Sequence, residues 1–241
     1  MKKILVTGGL GYIGSHTVVE LQSAGYDVVI IDNLENSSQE VKNRITNISG
    51  HPIELVVGDI NDEKIMNNLF KDHNFYGVIH FAAYKAVGES VEYPVKYYHN
   101  NITGLVCLLK AMDNHGVKNL IFSSSCTVYG EAEDLPVTEN TPIKSAESPY
   151  GTTKIIGEQI IQDYAKHKNL KTVLLRYFNP VGAHPSAEIG ELPNGIPSNL
   201  VPYITQTAAG IREQLVVYGD DYNTSDGTSV RDYMHVVDLA K

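Results

Sequence analysis

A glycine-rich segment, Thr7–Gly14, lies between an apolar stretch and a stretch with helical spacing, and this arrangement limits the folds open to the chain. Residues 3–6 predict a short strand, and residues 13–24 predict a helix. Two forms of a fingerprint fit the glycines: G-x-G-x-x-G on Gly9, Gly11 and Gly14, and G-x-x-G-x-x-G on Gly8, Gly11 and Gly14. Glycine here permits a tight turn, close approach of a pyrophosphate to the backbone, and close packing of helix on strand.

A second apolar strand, Asp27–Asp32, follows and ends in an acid. Asp32 lies near the spacing of about 20 residues that is expected of a carboxylate binding an adenosine ribose. Such a carboxylate repels a 2′-phosphate, so the sequence predicts NAD rather than NADP. Without this strand, the glycine segment would be typical of any ordinary strand-to-helix turn.

Strand and helix patterns alternate along the first three quarters of the chain. Further strands are predicted at 53–57, 77–81, 120–124 and 172–177, and helices at 40–48, 62–70, 94–114 and 150–166. This rhythm predicts an α/β fold with a doubly wound parallel sheet of the Rossmann type. From about Asn179, frequent proline and glycine predict irregular loops around short elements. We therefore expect an NAD-binding domain at 1–178 and a smaller region at 179–241.

Tyr150 and Lys154 are spaced to lie on one face of a helix, near its N-terminal end. Ser148 is a suitable N-cap and Pro149 suits the first helical position. A lysine cation about 4 Å from a phenol supplies about 4 kcal/mol at an effective dielectric of about 20, enough to ionise a large fraction of the tyrosine near neutral pH. Ser125 follows an apolar strand, where a hydroxyl faces the ligand crevice of an open sheet. The three residues are candidates for redox catalysis.

Composition narrows the range of partners. The formal net charge is −9, and no basic cluster indicates a nucleic-acid site. The two cysteines, Cys107 and Cys126, show no metal-binding spacing with each other or with the nine histidines, so no metal is expected. Free thiols and the absence of a signal-like or membrane-spanning apolar run predict a cytoplasmic protein.

Long blocks of the chain, from Thr7–His16 through His80–Ser90, Ser123–Gly130 and Leu175–Pro185 to Val230–Leu239, resemble the UDP-glucose 4-epimerase family. That family is a branch of the extended short-chain dehydrogenase/reductase superfamily. The resemblance implies NAD as cofactor, bound by the glycine segment, the strand ends and the tyrosine helix. The residues expected to contact it are Gly8, Gly11, Tyr12, Ile13, Gly14, Asp32, Asn33, Leu34, Glu35, Asn36, Ser37, Asp59, Ile60, Phe81, Ala82, Ala83, Tyr84, Lys85, Asn100, Ser125, Tyr150, Lys154 and Phe178.

The resemblance also implies a UDP-hexose substrate and a homodimer. Substrate contacts are expected from Ser125, Tyr150, Asn179, Asn199, Leu200, Tyr218 and Arg231. Arg231 is the expected diphosphate ligand, because a guanidinium binds phosphate oxygens bidentately, and Tyr218 is expected to stack on uracil. Because the family continues well beyond Lys241, the resemblance implies that residues 179–241 are a smaller, incomplete substrate-binding region. Further UDP ligands, and the residue that decides whether N-acetylated sugars fit, are expected to be missing from it.

The implied reaction is 4-epimerisation of UDP-glucose and UDP-galactose through a 4-keto intermediate, in galactose metabolism. Tyr150 is the expected base, Ser125 shares the hydrogen bond to the sugar oxygen, and Lys154 holds the ribose and lowers the pKa of Tyr150.

Three alternatives remain. Nucleotide-sugar 4,6-dehydratases carry Asp-Glu where this chain has Cys126-Thr127, and UDP-glucuronate decarboxylases carry a glutamate at the second position. Non-catalytic NAD-binding regulators usually lack the tyrosine or the lysine. UDP-hexose turnover would separate the epimerase from a regulator.

Overall fold

Six parallel strands form the central sheet in a computed structural model that describes residues 1–241. The strands are β1 (Lys3–Thr7), β2 (Asp27–Asp32), β3 (Glu54–Val57), β4 (Phe75–His80), β5 (Asn119–Ser123) and β6 (Lys171–Leu175). Their order is β3-β2-β1-β4-β5-β6, and all neighbours are parallel. The predicted doubly wound sheet is confirmed, and each predicted strand lies within a few residues of its observed bounds.

Seven helices connect these strands. They are α1 (Tyr12–Ser23), α2 (Glu40–Ser49), α3 (Glu63–Asp72), α4 (Val87–Glu92), α5 (Pro94–Tyr98), α6 (Gly104–Asn114) and α7 (Pro149–Lys168). The single helix predicted at 94–114 is divided by a π-helical turn, His99–Thr103. Within this turn, Asn101 accepts from the Tyr84 backbone N–H at 2.9 Å and donates to its carbonyl at 3.1 Å. The turn thereby fixes the segment that follows β4.

Two apolar clusters cover the two faces of the sheet. Leu5, Val29 and Ile31 pack with α3, α6 and α7 on one face, and the alternate residues Val6 and Ile30 pack with α1 and α2 on the other. Successive strand side chains point to opposite faces, and both faces are buried, so a strand must be apolar throughout. This is why the strands read as continuous apolar runs.

The region after β6 contains only short elements. They are β7 (Asn179–Val181), α8 (Leu200–Ala208), β8 (Tyr233–His235) and α9 (Val236–Ala240), and β7 pairs with β8 in parallel. Val236 and Val237 are buried where α9 packs against α1. The Tyr12 hydroxyl donates to the Gly182 carbonyl at 2.7 Å. The C-terminal region is therefore attached at the glycine segment. No helix has the length and apolarity needed to cross a bilayer.

Candidate active site

A cleft of about 1050 Å³ opens at the carboxyl edge of the sheet, with the C-terminal region as its other wall. Strand order reverses between β1 and β4, and ligands of open α/β sheets bind at such a switch point. Every residue predicted to bind cofactor or substrate lines this cleft except Leu34. Leu34 has a left-handed φ of 62°, and its apolar side chain packs against the core cluster beneath α1 and α2.

The glycine segment forms a cradle that larger residues would fill. A Cβ at Gly14 would lie 2.3 Å from the Gly8 carbonyl oxygen and 2.9 Å from Gly9 Cα. Gly8 has a φ of 67°, and a Cβ there would lie 2.8 Å from the Ala82 backbone nitrogen. Helix α1 begins at this cradle without a side-chain cap or an acid in its first turn. Its unpaired N–H groups and dipole favour an anion, which fits the pyrophosphate of a dinucleotide.

Two carboxylates lie at the ends of β2 and β3. Asp32 accepts from the backbone N–H groups of Leu10 and Leu34, each at 3.0 Å, and from the Ser37 hydroxyl at 2.7 Å. Burial raises the pKa of Asp59, but hydrogen bonds from Asn61 and Asn33 lower it by more, so the pKa lies below its usual range. Asp32 is thus held in one orientation at the position that suits a ribose diol, and the residues fit NAD.

The Glu191 side chain bridges two walls of the cleft, and the sequence did not predict this residue as part of the site. Its side chain is 11% exposed, and its carboxylate pairs with Lys85 Nζ at 3.2 Å and accepts from Asn199 Nδ2 at 2.6 Å. It therefore joins the segment after β4 to the start of α8. No sequence pattern identifies Glu191 as a site residue, because residues 182–199 show no periodicity that would predict the direction of an acidic side chain.

The structure brings the three predicted catalytic residues together. Ser148 caps α7, and its hydroxyl accepts from the Gly151 N–H at 3.2 Å, as predicted. Lys154 Nζ lies 5.7 Å from the centre of the Tyr150 ring. Ser125 lies two residues past the end of β5, close enough to the Tyr150 side chain to lower the pKa of its phenol. All three line the cleft that the glycine cradle opens into.

Burial controls the charge states of the pair. It lowers the pKa of Lys154 to about 8, against an opposing effect of Glu158. It also raises the pKa of Tyr150, and the hydrogen bond with Ser125 offsets only part of that rise. The sequence predicted a pKa lowered by Lys154. In the protein alone the pKa of Tyr150 is raised overall, because desolvation of the phenolate outweighs the effect of Ser125, and the lowering expected from Lys154 stays a prediction.

In the NAD-loaded protein, we expect Lys154→Met to raise the pKa of Tyr150 by about two pH units, because a cation near the ring contributes roughly 3 kcal/mol at an effective dielectric of about 20. Without NAD, the phenol ionises only above the pH at which Lys154 has lost its proton, so the loaded protein is the one to titrate. Spectrophotometric titration of the phenol measures this shift. Lys166→Met, at an exposed position of α7, is the matched control and should leave the titration unchanged. If the Tyr150 titration is unchanged in Lys154→Met, Lys154 does not lower the pKa of the phenol and only binds the ribose.

The C-terminal residues predicted for the substrate lie at the rim of the cleft. Arg231 donates to the Val230 carbonyl at 2.8 Å, and Tyr218 is 86% exposed and stacks on no ring. Asn179 Nδ2 donates to the Asp232 carbonyl at 2.9 Å. No group of three His, Cys, Asp or Glu side chains is arranged to hold a metal ion.

A Rossmann-type sheet with a glycine cradle and a Ser-Tyr-Lys set at its carboxyl edge defines a dinucleotide-dependent enzyme of the short-chain dehydrogenase/reductase class. The profile of the NAD dependent epimerase/dehydratase family matches residues 4–241. The chain belongs to this family.

Among its relatives, the chain is 56% identical over 239 residues to the UDP-glucose 4-epimerase of Bacillus subtilis (strain 168), covering 99% of this chain and 70% of that protein. It is 54% identical over 248 residues to the UDP-glucose 4-epimerase of Mus musculus, covering 100% of this chain and 72% of the relative. A crystal structure of UDP-glucose 4-epimerase from Bifidobacterium longum in complex with NAD+ and UDP superposes with a TM-score of 0.97 at 52% identity, covering 99% of this chain and 72% of that one. The resemblance inferred from the sequence is confirmed.

Proposed function

We propose that this protein interconverts UDP-glucose and UDP-galactose by epimerisation at C4 with NAD as resident cofactor, and so acts in galactose metabolism. The observation that carries the proposal is the position of Ser125, Tyr150 and Lys154 on the same cleft as the glycine cradle. The identity of 54–56% to UDP-glucose 4-epimerases supports the choice of substrate.

The chain's own residues handle the proton and orient the sugar. Tyr150 accepts the proton of the 4-hydroxyl, and Ser125 hydrogen-bonds the same oxygen. NAD, when bound, supplies the hydride acceptor and a positive charge near the phenol. Lys154 holds the ribose hydroxyls and adds its own charge. The resulting 4-keto sugar must turn about its diphosphate linkage, and the hydride then returns to the opposite face of C4 while Tyr150 gives the proton back.

A dehydratase or decarboxylase is less well supported, because both need an acid or base beside Ser125. Burial raises the pKa of the Cys126 thiol, which therefore stays protonated and is a weak acid at neutral pH. The Thr127 hydroxyl is buried without a partner. Neither side chain can protonate a leaving hydroxide.

A non-catalytic regulator would need no Tyr-Lys pair open to the cleft, yet both members line it here. The test is an assay of the purified protein with UDP-galactose and no added cofactor, with product sugar measured by NMR. We expect UDP-glucose to form. Binding of NAD without turnover would support the regulator.

We further propose that residues 1–178 bind NAD and residues 179–241 contribute to the sugar-nucleotide site. The exposed apolar side chains of Val91, Tyr93 and Val95 on and between α4 and α5 support a homodimer, which sedimentation analysis would test. A reducing cytoplasm suits the two free cysteines, Cys107 and Cys126.

A further inference from the structure

Glu158 is a buried carboxylate that the proposed reaction does not use. It is 1% exposed and lies one helical turn after Lys154 on α7. The Ser124 hydroxyl donates to it, and Arg176 donates to it from Nε at 2.9 Å and from Nη2 at 2.6 Å. A buried charge is costly unless it is paired and hydrogen-bonded, and here both oxygens have partners.

Each partner of Glu158 is adjacent to a residue of the site. Ser124 immediately precedes Ser125, and Arg176 immediately precedes Tyr177, which also lines the cleft. The Tyr177 hydroxyl hydrogen-bonds the Ser123 hydroxyl, which starts the same serine run. Glu158 therefore connects the ends of β5 and β6 to the helix that bears Tyr150 and Lys154.

Glu158 also provides the negative charge on the Lys154 face of α7. Residues four apart on a helix share a face, and Lys154 Nζ itself contacts only a neutral acceptor, the Ser123 carbonyl, at 2.8 Å. Burial favours loss of the Lys154 proton, and Glu158 opposes that loss. The other titratable or charged groups around the pair are His80 on β4, Tyr97 on α5, Cys126 after β5, and Arg176 and Tyr177 at the end of β6.

We propose that Glu158 is a positioning residue of the epimerisation, which holds Ser125 in register with Tyr150 and keeps Lys154 in its cationic form. This inference rests on the proposed function. The buried carboxylate of Glu158 thus affects the rate of the reaction in addition to forming an ion pair.

Two substitutions separate the electrostatic role from a merely structural one. Glu158→Gln and Arg176→Gln both remove the ion pair, but the first removes an anion near Lys154 and the second removes a cation. In Glu158→Gln, the alkaline limb of the rate profile should move to lower pH by about one unit, because Lys154 then loses its proton more readily. In Arg176→Gln, the same limb should stay in place or move to higher pH. The lower pKa of Lys154 by itself should reduce turnover at neutral pH about twofold in Glu158→Gln, and loss of the charged partner of Ser124 should reduce it further.

The rate to measure is conversion of UDP-galactose as a function of pH by the NAD-loaded protein, with thermal unfolding recorded in parallel. If Glu158→Gln does not fold, the double variant Glu158→Gln/Arg176→Gln removes both charges and should show a smaller shift in the same direction. Equal loss of stability in both single variants, with the alkaline limb unmoved, would overturn the proposal. A wild-type protein without turnover would instead overturn the proposed function.

Discussion

Replacing Tyr150 by Phe should lower epimerisation by about 10²- to 10⁴-fold, the usual contribution of a group that transfers a proton in the transition state. The ring stays in place, and only the hydroxyl that hydrogen-bonds with Ser125 is lost. NAD binding should persist, because the glycine cradle and Asp32 are untouched. Steady-state turnover of UDP-galactose, together with the amount of NAD retained on purification, measures both effects.

Tyr164→Phe is the matched control for this variant. It removes a phenol hydroxyl from the same helix, α7, at a position that does not line the cleft. Its turnover should equal that of the wild type. Near wild-type turnover of Tyr150→Phe would show that another group is the base.

Replacing Gly14 by Ala should impair both folding and NAD binding. The new Cβ would lie 2.3 Å from the Gly8 carbonyl oxygen, and that atom is backbone and cannot swing aside as a side chain would. Overpacking of this kind costs about 1 to 3 kcal/mol, which corresponds to roughly 4–8 °C in Tm for a 2 kcal/mol loss. Displacement of the turn should weaken NAD binding at least about tenfold.

Gly88→Ala provides the comparison, because a Cβ at this helical position meets nothing within 4 Å. Alanine is the better helix former, so this variant should be as stable as the wild type or slightly more so. Thermal unfolding and calorimetric titration with NAD measure both variants. A Gly14→Ala protein with unchanged Tm and NAD affinity would mean that the cradle is less tightly packed than its geometry indicates.

The sheet could be predicted from sequence because its causes are local. Strands such as Asp27–Asp32 are apolar along their whole length, as burial on both faces requires, and Gly8, Gly11 and Gly14 mark the first strand-to-helix turn. The division of the helix predicted at 94–114 was missed. It depends on Asn101, whose partners Tyr84 and Thr153 come from distant parts of the chain.

The site could be predicted from sequence only where the spacing of two residues along a helix reflects their shared chemical role. Tyr150 and Lys154 are such a case, since four residues on a helix bring them to one face. Glu158 pairs with Arg176 and Glu191 pairs with Lys85, and in each pair the two residues come from different elements of the fold. No local sequence pattern predicts either contact. The direction in which the pKa of Tyr150 shifts could not be predicted from sequence either, because it depends on how far the phenol is buried.

In the proposed reaction, hydride leaves C4 of the sugar and returns to the same carbon within one cleft. The most direct test is to convert UDP-galactose that carries deuterium at C4 in ordinary water, with no added cofactor, and to examine the product by NMR. We expect UDP-glucose that keeps its deuterium at C4, because the label would be held by bound NAD and returned without exchange with solvent. Loss of the deuterium to water, or inversion that requires free NAD in stoichiometric amounts, would contradict it.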